Sequence, residues 1–376
     1  MSRFNSPGRS LFRLALMHQP DEKPKMPPST QCHTAFTKLL KDLSKIPVSQ
    51  KMKYSGYGLP PVYKYSLSQK EVELLPELYR KVLERGGNGA NRVLENLLEF
   101  LVRVPGTNHF PFLLEALSLA RPRDKGLPQR QEIILSYLSI AAVQRKDQVA
   151  FQHLMDLTRH ESVDIRAQAL EHLSVTYSIL DQPVPQSVID RAQVMVVEES
   201  EFYPRFLARQ ILQEANLPTP LENQGGTYSF KVHHRYLGKG VYRIIEVKSE
   251  QTLEDLHLAI QSAFEWDNDH LYAFHLDGDS RNESFEFQGS PVMFDNPFGA
   301  DAPPANEAIL GKLGLSLHHK FLYFFDFGDS HEFDVEVVAI TPKAKRAKYP
   351  RIVESKGESF PQYPDEDEWE DEEDWE

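Results

Sequence analysis

Cysteine is almost absent: Cys32 is the only one in 376 residues. That excludes an intramolecular disulfide framework and every zinc module built on several cysteines. No run comes near the ~20 apolar residues of a membrane-spanning helix, so no membrane partner is expected. An excess of basic charge is also missing, since the formal net charge is −13. Ten of the last twelve residues, Asp365 to Glu376, are carboxylates, and without them 42 basic residues face 45 acidic ones. The body is therefore nearly neutral, which counts against a uniformly basic nucleic-acid binder. Catalytic signatures are scarce too. There is no Gly-x-Ser-x-Gly and no His-Glu-x-x-His. Gly238-x-Gly240 lacks the third glycine of a dinucleotide loop, and Gly311-Lys312 lacks the Walker hydroxyl residue. Asp326-Phe-Gly328 stands without the His-Arg-Asp loop and glycine-rich strands of a kinase. No cofactor or metal is expected from these motifs. What is present, 40% apolar and 26% charged residues, is ordinary globular usage, and the length predicts two or three domains.

Residues 1–65 read as a disordered, basic, proline-rich arm with at most one short helix. Residues 1–60 carry ten Lys/Arg against three acids, and the prolines run from Pro7 to Pro60. Leu11 to Met17 has the flavour of a targeting peptide, but Arg13 interrupts it and no small-residue cleavage site follows.

Residues 66–216 change to helical periodicity. Ser68 with Glu71 forms a capping box, and Leu75, Tyr79, Val82 and Leu83 follow at helical spacing. Pro76 is expected to kink or split that helix, and Gly86-Gly87 to end it. Further stripes lie at Leu94/Leu97/Leu98/Leu101, Leu113/Leu114/Leu117, Ile133/Ile134/Tyr137/Leu138, Phe151/Leu154/Met155, Val188/Ile189/Ala192 and Phe202/Phe206/Ile211. That pattern predicts seven or eight helices and no strand. Leu157 to Leu173, with Val163-Asp-Ile-Arg-Ala167 at its centre, resembles the second half of a HEAT or armadillo-type unit. Val163, Ile165, Ala169, Leu170 and Leu173 form its expected buried face, and Arg166 after Asp164 its expected polar ladder. Second helices starting near 128, 162 and 199 give a spacing of about 34–37 residues, within the range of such arrays. A plain helical bundle is the alternative.

Residues 217–226, with Pro218, Pro220, Gly225 and Gly226, read as a linker. Residues 227–355 read as a small α+β domain. Tyr228, Phe230 and Val232 alternate as in a half-buried strand, and Val241 to Val247 returns beside it. Thr252 or Ser249 caps a helix with Leu253, Leu256, Ile260 and Phe264 on its apolar face. Strands follow at 271–276, 321–326 and 333–340, the last two joined by Phe327 to His331. That turn predicts Gly328 at positive φ and Asp329 bonding local amides. Residues 356–376 read as an acidic tail.

The motifs of this domain resemble the plasmid pRiA ORF-three-like family, also labelled insertion-element passenger TnpR-like proteins. Tyr242-Arg-Ile-Ile-Glu-Val247, Thr252 to Trp266, Trp266-Asp-Asn-Asp-His-Leu-Tyr-Ala-Phe274, Phe321 to Asp329 and Tyr349-Pro-Arg351 match its motifs in order. The resemblance covers roughly residues 227–364. It departs at His331 and Phe333, where the family carries Trp and then His, and in lacking the cysteine- and proline-rich tail. It implies a small α+β domain without a defined reaction.

Asp267, Asp269, His270, Asp326, Asp329 and His331 form the candidate polar site. Two loops each offer two carboxylates and an imidazole, the residue types that hold a divalent metal for phosphate-ester hydrolysis if they meet. Trp266 and Tyr323 are candidate binding aromatics. Lys343, Lys345, Arg346, Lys348 and Arg351, around Tyr349, form a basic run suited to an anionic partner. The expected protein is a cytoplasmic, non-catalytic adaptor with a protein partner. The alternatives are a metal-dependent hydrolase or nuclease using the Asp/His loops, or a DNA-processing accessory of a mobile element.

Overall fold

The computed structural model describes residues 30–45, 52–54, 68–102, 109–121, 123–236, 240–281, 285–289 and 302–363. The chain divides into two compact units between Val188 and Ile189. No described helix is long and apolar enough to cross a membrane.

The first unit is helical. Its elements are α1 (Thr30–Lys45), α2 (Gln69–Arg85), α3 (Ala90–Val102), α4 (Phe110–Ser118), α5 (Leu127–Val143), α6 (Gln148–Leu157) and α7 (Val163–Ile179). β1 (Met52–Lys53) and β2 (Gly87–Asn88) form a short parallel pair that the helical pattern gave no sign of. α1, at 16 residues, is longer than the one short helix expected within the arm read at 1–65. Phe36, Leu39 and Leu43 sit at i, i+3 and i+7 and are buried, and Phe36 meets Phe100 edge-on at 5.6 Å. That apolar stripe offsets the ordering entropy which the surrounding Pro and Lys residues suggested could not be met.

The capping box of α2 is present, with Ser68 N donating to Glu71 Oε2 at 2.7 Å. Pro76 neither splits nor ends this helix. Leu75, Leu78, Tyr79 and Val82 are buried on both sides of it, and their burial outweighs one missing backbone bond. α5 is the central helix and packs against α3, α4, α6 and α7. This explains why Ile134 to Val143 is buried nearly all round rather than along one stripe. Leu170 and Leu173 of α7 are buried as expected. Arg166 Nη1 donates to the carbonyls of His160 and Glu161, both at 2.9 Å, and closes the preceding turn.

The second unit holds α9 (Phe202–Glu214), and the division falls inside α8 (Gln186–Glu198). This moves the boundary read at 217–226. That segment is not slack. Glu222 accepts from both Arg205 and Arg209, Arg209 Nη1 donates to the carbonyls of Pro220 (2.9 Å) and Lys312 (3.2 Å), and Glu222 N donates to Gly311 O (2.8 Å). Phe202 stacks on His319 at 3.9 Å and Phe206 meets Phe285 at 4.9 Å. α9 is thus part of the sheet domain's core. Its sequence carries no sign of this, because apolar helical faces look alike whatever covers them.

The sheet is antiparallel, with strands β3 (Thr227–His234), β4 (Tyr242–Lys248), β5 (Tyr272–His275), β6 (Glu286–Gly289), β7 (Lys320–Phe325), β8 (His331–Thr341) and β9 (Arg351–Lys356) in the order β6-β5-β7-β8-β3-β4-β9. β6 and β9 add an edge on each side that the sequence pattern did not indicate. Paired residues share a face, so Phe287, Phe274, Tyr323, Phe333 and His234 form one row across the sheet. α9 covers the end of that face near Phe285. α10 (Leu253–Phe264) covers the other, capped by Thr252 and Asp255 in a reciprocal box. The opposite face carries Lys231, His233, Glu332, Asp334 and Glu336. The domain read as 227–355 continues past β9, because Ser359 to Tyr363 pack at the C-terminal end of α10. Residues 364–376, which hold the acidic tail, lie outside the described residues.

Candidate functional site

α10 ends on Glu265 in the left-handed region (φ 60°), and Trp266 N returns to Gln261 O at 3.0 Å. This reversal aims the loop 266–271 at the β7–β8 turn. There, Asp326 (φ 56°) and Ser330 (φ 58°) take the positive-φ positions, not Gly328. The carboxylate that bonds local amides belongs to Asp326 and not to Asp329. Its Oδ1 accepts from Gly328 N (2.8 Å) and Asp329 N (3.3 Å). Asp tolerates this backbone region because its short side chain bonds the turn it starts.

The two Asp/His loops do meet. His270 Nε2 lies 3.1 Å from Asp326 Oδ2. Asp326 is buried, His270 is half-buried, and Asp267, Asp269 and Asp329 are exposed. His331 is buried with its ring centroid 4.6 Å from that of Trp266. Its Nε2 has no hydrogen-bond partner among the described residues. Burial lowers the His331 pKa against the opposing pull of Asp326 and Asp329. His234 packs 5.8 Å away and is brought down to about 4 by the same desolvation. Beneath the carboxylates, the imidazoles are thus held neutral.

A third segment completes the cluster, and the motifs did not reveal it. Gln362 is buried; its Oε1 accepts from Asp267 N (2.7 Å), and its Nε2 donates to Asp267 O (3.3 Å) and Asp269 Oδ1 (3.0 Å). The Tyr363 hydroxyl donates to Asp269 Oδ2 at 3.0 Å. Desolvation first and the Asp269 carboxylate second push that phenol up to about 12. Trp266 Nε1 donates to Phe360 O at 3.0 Å. The cluster therefore clasps the chain after β9 against the end of α10. Arg243 fixes the same seam, donating from Nε to Ala263 O (2.8 Å) and from Nη1 to Lys356 O (3.1 Å), with its guanidinium 5.0 Å from the Phe264 ring centre. Among the described residues, no three metal-ligating side chains are grouped so as to hold an ion. Asp267 contributes only backbone bonds in this network, and the exposed Asp329 carboxylate acts on His331 through its charge alone.

Tyr323 is fully buried in the row under α10. Gln261 Nε2 donates to its hydroxyl (2.7 Å), which lies 2.7 Å from His257 Nδ1, while His257 Nε2 lies 2.9 Å from Asn268 Oδ1. With Nε2 protonated and donating to Asn268, Nδ1 accepts from the Tyr323 hydroxyl, and His257, held near 4 by burial, stays neutral, while Gln261 Oε1 has no hydrogen-bond partner among the described residues. Trp266 is likewise buried, at 7% exposure.

The basic run lies elsewhere, in the β8–β9 connection. Lys343, Lys345, Arg346 and Lys348 are exposed and make no ion pair with a described residue. Arg351 differs, since its guanidinium pairs with Glu246, Nε to Oε2 at 2.7 Å. Tyr349 folds back on the loop, accepting from Lys345 N at 3.0 Å. Lys248 Nζ and Arg351 Cζ lie 5.5 and 5.3 Å from its ring centre.

Residues 226–367 match the family model of the plasmid pRiA4b ORF-3-like protein. The match spans β3 to the clasp segment and takes in both the polar cluster and the basic loop. No curated protein matches the chain. Among solved structures, the chain is similar to a protein of unknown function, MM3350, from Methanosarcina mazei Go1. The two are 22% identical over 37% of this chain and 74% of that one, with a TM-score of 0.31.

Proposed function

We propose that this protein is a non-catalytic, cytoplasmic adaptor in which the pRiA4b ORF-3-like domain recognises an acidic protein segment through the β8–β9 loop. The observation that carries this is the division of labour between the two charged groups. In the Asp/His cluster, Asp326 and Asp269 are spent on backbone amides and the Gln362–Tyr363 clasp, and His331 packs against Trp266. In the loop, Lys343, Lys345, Arg346 and Lys348 are exposed and uncompensated. An acidic peptide suits them better than nucleic acid. Single-stranded binders offer aromatic faces to bases, and the Tyr349 ring is already taken by Lys248 and Arg351. The helical unit supplies a second surface, and its α6–α7 hairpin, with buried Ile165, Ala169, Leu170 and Leu173, supports a HEAT-like unit as the scaffold.

The test uses a variant ending at Pro364 and a fluorescein-labelled decaglutamate peptide. Anisotropy should show saturable binding that weakens with added salt, because exposed charges are screened over ~8 Å at physiological ionic strength. Replacing Lys343, Lys345, Arg346 and Lys348 by Glu should abolish it. Tighter binding of a single-stranded oligonucleotide through the same residues would move the reading to nucleic acid. Turnover of a phosphodiester with Mg2+, Mn2+ or Zn2+, lost in Asp326→Asn, would overturn it in favour of an enzyme.

A further inference from the structure

The domain has two charged ends. At the C-terminal end of α10 stand Asp267, Asp269, Asp326 and Asp329, beside the last described residue, Tyr363. The N-terminal end of α10 lies near the basic loop, where Gln251 Nε2 donates to Tyr349 O at 3.4 Å and Lys248 approaches Tyr349. Glu246 is neutralised by Arg351, and Glu250 accepts from Gly225 N.

The chain leaves Tyr363 at the acidic end with thirteen more residues, 364–376, ten of them carboxylates. Like charge disfavours their staying where they emerge, and opposite charge waits at the other end. The distance is within reach. The twelve residues of α10 span roughly 18 Å, whereas thirteen extended residues reach about 43–47 Å.

Resting on the adaptor reading, we propose that residues 365–376 of this chain dock in cis on Lys343, Lys345, Arg346 and Lys348 and withhold the loop from an acidic partner. Such a tether gives the tail an effective concentration in the millimolar range, so an outside acidic segment must outbid it. The control is a competition between two anions for one cationic loop. Salt, or a partner with more carboxylates, relieves it.

The probe is a labelled synthetic peptide of residues 364–376. It should bind the variant ending at Pro364 and lose that binding when Lys343, Lys345, Arg346 and Lys348 are all replaced by Glu. The full chain should bind it at least about tenfold more weakly at low salt, with the difference shrinking at 0.5 M salt. Equal affinity of full-length and shortened protein would overturn the proposal and leave the adaptor reading standing. Binding of decaglutamate to the loop, with none of the tail peptide, would do the same. Failure of both peptides to bind would remove the two together. Concentration-dependent self-association of the full chain, abolished by the same shortening, would overturn the cis arrangement, since the tail would then be filling the loop of a second copy.

Discussion

Among the described residues of the helical unit, the largest fully buried side chain is a charge, and it is met by a charge. Arg130 is fully buried, its Nη2 is 2.7 Å from Asp124 Oδ2, and its Nε donates to the Tyr79 hydroxyl at 2.9 Å. Burial pushes the Asp124 carboxyl up, but the bonds from Arg130 and Arg121 hold it far below the usual range. In the sheet unit, several of the buried titratable groups are imidazoles instead. His234, His257, His275 and His319 are each brought down to about 4 by desolvation, and His331 is lowered too. A charge pair and a neutral imidazole both meet the demand that a buried polar group be compensated or uncharged. They differ in what disturbs them: loss of a partner for the first, protons for the second.

The largest effect should come from cutting the sheet unit where its composition suggests a linker. A fragment starting at Thr227 loses α9, with Phe202, Phe206, Ile211 and Leu212, each buried. At about 1.5–3 kcal/mol per large apolar side chain, that loss should unfold or aggregate the fragment. A fragment starting at Gln186 should instead give dispersed NMR amide signals. Equal behaviour of the two would restore 217–226 as the boundary.

Acidification should separate the units next. An unfolded histidine titrates near 6.5. Where the folded value is near 4, the unfolded chain takes up protons that the folded one refuses. Stability is therefore full above about 6.5 and falls as pH drops towards 4. His234, His257, His275 and His319 all act in this sense in the sheet unit. In the helical unit His109 does so. His172 does the opposite: burial disfavours its charge, but Glu132 raises its pKa overall, so its contribution is present at low pH and fades as pH rises through that raised value. Hydrogen-exchange mass spectrometry at pH 7.5 and 5 should show the sheet unit losing more protection, after correction for intrinsic rates. Parallel losses would contradict the contrast.

Asp124→Ala comes third. It strands Arg130 in the interior and should cost the helical unit about 3–5 kcal/mol in urea unfolding, with the sheet unit's transition unmoved. Leu170→Ala, at a fully buried position, should cost about 2–5 kcal/mol in the same transition. A loss below ~0.5 kcal/mol would remove Leu170 from the core and with it the repeat reading.

Local chemistry determined much of this protein from sequence alone. The capping boxes at Ser68 and Thr252, the helical stripes, the alternation of Tyr228, Phe230 and Val232, and the Phe-Gly-Asp turn each depend on residues within a few positions of one another. Backbone sterics and side-chain period act over that range. Tertiary structure alone decided what depends on partners far along the chain. Gln362 meets Asp267 and Asp269 across more than ninety residues, His270 meets Asp326 across more than fifty, and Arg209 meets the Lys312 carbonyl 103 residues away. Whether Tyr323 is a surface ring or a buried one, and whether α9 belongs with the helices before it or the sheet after it, turned on the same thing. Burial is a property of the assembled packing, and no window of sequence contains the atoms that cover it.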